Sequence, residues 1–100
     1  MILHDERRNL DLPVAGDAAR LGRDPSLDLP FDPDDDIVSA VHARVWRERD
    51  GSWWLEDVGS TNGTWLNGSK VTEYALHNGD NVRAGETTFV FRLEEITAPG

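Results

Sequence analysis

At 100 residues the chain is one domain, long enough for a core that buries roughly 60–68% of the unfolded chain's surface. Ten Lys and Arg against nineteen Asp and Glu give a net charge of −9, which weighs against nucleic acid or an anionic membrane as partner. No apolar run approaches the ~20 residues of a membrane span. The absence of cysteine excludes disulfides and thiolate metal sites and fits a reducing compartment.

The opening MILHDERR lacks an apolar signal region, so the expected location is cytoplasmic. Helical periodicity is nearly absent along the chain. Turn pairs recur instead: Asp24-Pro25, Asp32-Pro33, Asp50-Gly51, Asn62-Gly63, Asn67-Gly68 and Asn78-Gly79. Short strands between such turns predict an all-β, antiparallel sandwich or barrel without substantial helix.

VHARVWRER and SWWLEDV form a predicted hairpin whose register can be argued. A two-residue turn at Asp50-Gly51 would set Val45 against Glu56 and mix core with solvent residues on each face. A three-residue loop, Arg49-Asp50-Gly51 with Gly51 left-handed, sets Val45 against Leu55, Trp46 against Trp54 and Arg44 against Glu56. That register puts Trp53 inside with Val45 and Leu55 and leaves Trp46 and Trp54 as an outward pair. In the last strand, TTFVFRLEE, Phe89, Phe91 and Leu93 alternate with Thr88, Val90 and Arg92, so the first set is expected to enter the core. The segment EEITAPG reads as a linker, with 1–95 as the domain and 96–100 as a tail, so the chain is expected to be part of a larger multidomain protein.

Three clusters carry candidate chemistry. In RLGRD, Gly22 precedes Arg23, whose guanidinium fork fits phosphate oxygens. In VSAVHAR, inward Val41, Ala43 and Val45 would leave Ser39 in the preceding loop, where its hydroxyl can donate to an anion. His42 would then sit at the strand's start and fix the Ser39 loop by bonding backbone. In VGSTNGTWLNG, Thr61 offers a hydroxyl, Asn62 an amide that pairs with extended backbone, and Gly63 a sharp turn. A nucleophilic triad of Ser39, His42 and Asp57 is the enzymatic alternative, but no nucleophile elbow accompanies it.

In order and spacing, LGRD, VSAVHA, DVGSTNGTWLNG and LHNGDNV resemble the forkhead-associated (FHA) domain over about residues 10–93. The resemblance implies a two-sheet antiparallel β-sandwich of about eleven strands whose end loops bind phosphothreonine peptides, a non-enzymatic module of Ser/Thr kinase signalling that needs no cofactor. It assigns the phosphate to Arg23, Ser39 and Thr61, and the peptide backbone after the phosphothreonine to Asn62. Gly22, His42 and Gly63 become architectural, with Ser60 and the second Asn-Gly shaping the loop.

Two positions depart from the family pattern. Ala40 stands where many members carry Arg, Lys or Asn as a further phosphate contact. Ile37 occupies a position that helps select the third residue after the phosphothreonine, and implies an apolar choice there. Between Arg23 and Ser39, DPSLDLPFDPDDDIV holds six aspartates. Asp32, Asp34 and Asp36 alternate as at the start of a calcium loop, but Ile37 replaces the required Gly and Ala43 the closing Glu, so a solvated acidic loop is expected and no metal. The rival reading is a phosphate-independent scaffold of the same fold, binding through the tryptophan pair or the acidic loop. A sugar-binding module rests on the exposed tryptophans alone.

Overall fold

Turn residues cut the chain into eleven strands: β1 (Ile2–Asp5), β2 (Leu10–Pro13), β3 (Ala18–Gly22), β4 (Leu29–Pro30), β5 (Ala43–Arg47), β6 (Trp53–Asp57), β7 (Thr64–Leu66), β8 (Ser69–Val71), β9 (Glu73–Leu76), β10 (Asn81–Ala84) and β11 (Thr87–Arg92). The structure, a computed structural model, describes residues 1–93. The predicted tail 96–100 lies outside them. One sheet runs β2-β1-β11-β10-β7-β8 and the other β4-β3-β5-β6-β9, with no helix among the described residues. Pairing is antiparallel except for a short parallel contact of β3 with β4.

The core lies between the sheets. Leu3, Phe89 and Phe91 from one and Leu21, Val45 and Leu55 from the other are all fully buried. Phe31, from the acidic loop, meets Phe89 edge-on with ring centroids 4.8 Å apart. Such aromatic contacts add about 0.5–1.5 kcal/mol beyond burial.

The β5–β6 hairpin has the three-residue-loop register. Val45 opposes Leu55, Trp46 opposes Trp54 and Arg44 opposes Glu56. Glu48 and Ser52 close the loop, and Gly51 has φ +88°. Trp53 is buried, while Trp46 and Trp54 stack outward at 6.4 Å and 19°. Both outward indole N–H groups are already bonded, to Glu48 and Ser52, and Arg44 lies 4.4 Å over Trp46.

Three expectations need correction. Leu93 is exposed, because β1 ends opposite Arg92 and nothing of the sheet extends to cover it. Val41 is also exposed: β5 begins only at Ala43, so its alternation does not reach back to 41, and His42 turns wholly inward instead. The acidic loop is not simply solvated. Asp35 is buried and accepts bonds from the Glu86 N–H at 3.0 Å and the Thr87 hydroxyl at 2.6 Å, pinning the loop to the turn between β10 and β11. Asp32 closes a local turn by accepting from the Asp34 N–H.

This division of labour among adjacent aspartates is testable by denaturant unfolding. Asp35→Ala leaves the buried Thr87 hydroxyl and the part-buried Glu86 N–H without their acceptor and should cost about 1–3 kcal/mol. Asp34→Ala, at an exposed position, should stay within about 0.5 kcal/mol of the unsubstituted chain.

Candidate functional site

At the end of β3 the backbone turns beside the segment that leads into β5. Leu21 accepts from the His42 N–H, the Arg23 N–H donates to the Ser39 carbonyl at 3.1 Å, and the Asp24 N–H to that of Ala40 at 3.2 Å. This approach leaves no room for a side chain at position 22. A Cβ on Gly22 would lie 2.2 Å from the Ala40 carbonyl oxygen.

His42 joins the Ser39 segment to the loop between β6 and β7. The Ser39 N–H donates to Nδ1 at 3.1 Å, and Nε2 lies 2.8 Å from the Gly63 carbonyl oxygen. A backbone N–H only donates and a carbonyl only accepts, so the proton must reside on Nε2. The ring is fully buried and stacks against Phe31 at 6.2 Å. With both nitrogens spent on backbone, His42 is no base for the Ser39 hydroxyl.

Asp57, at the end of β6, organises the loop that follows. Its carboxylate accepts from the N–H groups of Gly59 and Ser60 and from the Ser60 and Thr64 hydroxyls. Ser60 Oγ in turn accepts from the Gly63 N–H at 3.0 Å. Burial pushes the Asp57 carboxyl up, but these bonds from Ser60, Thr64 and Gly59 outweigh it and hold it below the ordinary carboxylate value. The Ser39–His42–Asp57 triad therefore does not assemble: each member is bonded elsewhere.

Four predicted residues converge at this end of the sandwich with bonding capacity to spare. Ser39 Oγ accepts from the Thr61 N–H at 3.1 Å, which fixes the hydroxyl and leaves its own proton to donate. The Asn62 amide donates to the Ile37 carbonyl at 2.9 Å and keeps its Oδ1 as an acceptor. Exposed Thr61 has a hydroxyl with no partner among the described residues. Arg23 is exposed, and one N–H makes a long 3.4 Å contact to the Asp36 carbonyl. Ile37 and Ala40 lie exposed on the same segment. Asp35, Asp57 and Thr64 are the residues that sequence reasoning did not place in support of the site. A run of aspartates does not show which member is buried, though an Asp three residues before a Ser-Thr-Asn-Gly turn is a usable capping signal.

Two substitutions test this architecture. Gly22→Ala must displace the Ala40 backbone and should lower stability by several kcal/mol, read as a fall in the thermal midpoint. Asp57→Asn weakens the bonds that the carboxylate accepts and should cost about 1–3 kcal/mol at pH 7. Because the folded-state value is depressed, the stabilisation is complete above the unfolded value near 3.9 and is lost as pH falls through the folded one. The stability gap between Asp57→Asn and the unsubstituted chain should therefore narrow below about pH 4.

The FHA domain family model matches residues 19–85. FhaB of Mycolicibacterium smegmatis is 39% identical over 85 residues, covering 79% of this chain and 54% of FhaB. The glycogen accumulation regulator GarA of the same organism is 41% identical, covering 78% of this chain and 45% of GarA. This chain thus spans about half the length of the curated relatives it matches. Among solved structures, Mycobacterium tuberculosis EmbR in complex with a low-affinity phosphopeptide superposes with a TM-score of 0.85 at 26% identity, covering 97% of this chain and 25% of EmbR. The FHA domain of the Chlamydia trachomatis protein CT664 superposes at 0.79 and 28%, covering 89% and 92% of the two chains. With the family model spanning most of the sandwich and the loop geometry of its motifs in place, the chain belongs to the FHA domain family.

Proposed function

We propose that this chain is a phosphothreonine-peptide receptor that recruits a phosphorylated protein partner, and that it is not an enzyme. The observation that carries this reading is the set of polar groups left open at one end of the sandwich. The Arg23 guanidinium, the Ser39 hydroxyl and the Thr61 hydroxyl supply donors to the phosphate, which carries about −1.5 to −2 charges at pH 7. Asn62, braced by Ile37, supplies the acceptor and a remaining donor for the peptide backbone beyond the phosphothreonine. Gly22, His42 and Gly63 hold the two loops in place and touch no ligand.

The reading draws support from FHA family membership and from the phosphopeptide complex of EmbR. It places the protein in Ser/Thr kinase signalling as a cytoplasmic module of a multidomain protein, with residues 1–95 as the domain. No helix among the described residues is long and apolar enough to cross a membrane. The phosphate-independent alternative is weakened by the tryptophan pair itself, whose indole N–H groups are both spent within the hairpin.

Calorimetric titration with one peptide in phosphothreonine, phosphoserine and unphosphorylated forms tests the assignment. The phosphothreonine form should bind and the unphosphorylated form should not. Arg23→Ala should weaken binding about ten- to a hundred-fold, as expected for losing a charge-assisted bond of ~1.5–3 kcal/mol. Binding that ignores phosphate and survives Arg23→Ala would sink the reading.

A further inference from the structure

Most of the chain's cationic side chains are committed. Arg7, Arg8, Arg44, Arg47 and Arg92 are paired with carboxylates, and Arg83 lies over Trp65 at 5.2 Å. Lys70 differs. It lies on β8, opposite Trp65 of β7, and its ammonium has no hydrogen bond or ion pair among the described residues.

Its direction is the telling feature. The side chain runs back over the start of β7 and crosses the face of Gly63, where a Cβ would meet Lys70 Cε at 2.8 Å and Nζ at 3.6 Å. The missing side chain at 63 is the space that the lysine stem occupies. Gly63 immediately follows Thr61 and Asn62, so the ammonium is stationed beside the lip that the peptide must cross. Arg23, with no carboxylate partner, stands on the β3 side of the same loops. Ala40, on the segment between them, offers no charge.

We propose that Lys70 is a specificity-determining residue, resting on the phosphothreonine reading above: it selects ligands that carry an acidic side chain next to the phosphothreonine, on the Gly63 side. Carboxylates elsewhere at the site give this selection a direction. Asp34 and Asp36 are exposed on the segment whose Asp36 and Ile37 carbonyls meet Arg23 and Asn62, so an acidic ligand residue is repelled there and attracted by Lys70 beyond Gly63. The discrimination is modest, because a solvent-exposed ion pair contributes little, and it weakens as salt screens it.

The test uses the 100-residue chain and phosphothreonine peptides in which each position from three before to three after the phosphothreonine is Glu, Gln or Lys. At one position Glu should bind about three- to five-fold more tightly than Gln at low salt, the scale of an exposed ion pair. Lys70→Met should erase that preference without changing affinity for the Gln peptide. Lys70→Glu should transfer the preference to Lys at the same position. An unsubstituted chain that binds phosphothreonine peptides with no preference for Glu, or a preference that survives Lys70→Met, would overturn the inference and leave the receptor reading standing. So would an equal loss across all peptides, which marks a general charge effect. Failure of the unsubstituted chain to bind any phosphothreonine peptide would overturn both.

Discussion

The site depends on one buried imidazole. His42 receives the Ser39 N–H on one nitrogen and donates to the Gly63 carbonyl with the other, so a single rigid ring sets the separation of two loops remote in sequence. No other neutral side chain spans backbone donor and backbone acceptor in so flat and compact a way. A hydroxyl is too short, an Asn amide carries donor and acceptor together at one tip, and a Gln adds a rotatable bond. Phe31 stacks against the ring, and the end of β3 closes over the same segment through Gly22. Burial makes the arrangement demanding, since any unmet polar atom here would carry the full desolvation penalty.

The acidic composition takes on a different meaning inside this frame. Several carboxylates serve as backbone caps rather than as a solvated field. Asp5 accepts from the Arg7 and Arg8 N–H groups, Asp24 from Ser26, Asp35 from Glu86, Asp57 from Gly59 and Ser60, and Asp80 from His77. A fold of many tight turns leaves many backbone N–H groups without ladder partners, and short carboxylates satisfy them well. Net charge therefore says little about the potential at any one loop end. With a screening length of about 8 Å at physiological salt, the charges nearest a loop end set the potential there.

The fold was legible where a pattern has only one consistent solution. In the β5–β6 hairpin, one register alone separates Val45 and Leu55 from Arg44 and Glu56, and the structure has it. Gly22, Arg23, Ser39, His42, Thr61, Asn62 and Gly63 were legible from motif order, and they do meet at one end. Alternation failed at strand ends, where Val41 and Leu93 keep the right parity but lie beyond the sheet. Burial of Asp35 was not legible, because its partner is distant in sequence. Nor was the reach of Lys70 over nearby Gly63, because pairing across a hairpin does not say which way a long side chain leans. Asp35 meets a turn fifty-one residues away. No local pattern distinguishes it from its neighbours Asp34 and Asp36.

The supporting bonds also explain how a small site of this kind can be selective. Each one consumes the capacity of a group that faces inward and leaves open one that faces out. Ser39 Oγ accepts from Thr61 and keeps its proton; Asn62 donates to Ile37 and keeps its carbonyl oxygen. The free protein therefore already holds these side chains in single orientations, so the ordering cost falls on folding rather than on binding. On the proposed reading, a phosphate arriving at such an end displaces few internal bonds and gains several charge-assisted ones. On the same reading, an unphosphorylated threonine meets the same donors with no charge to offer Arg23. The difference between those two encounters, more than total contact area, is what a phosphate-dependent switch requires.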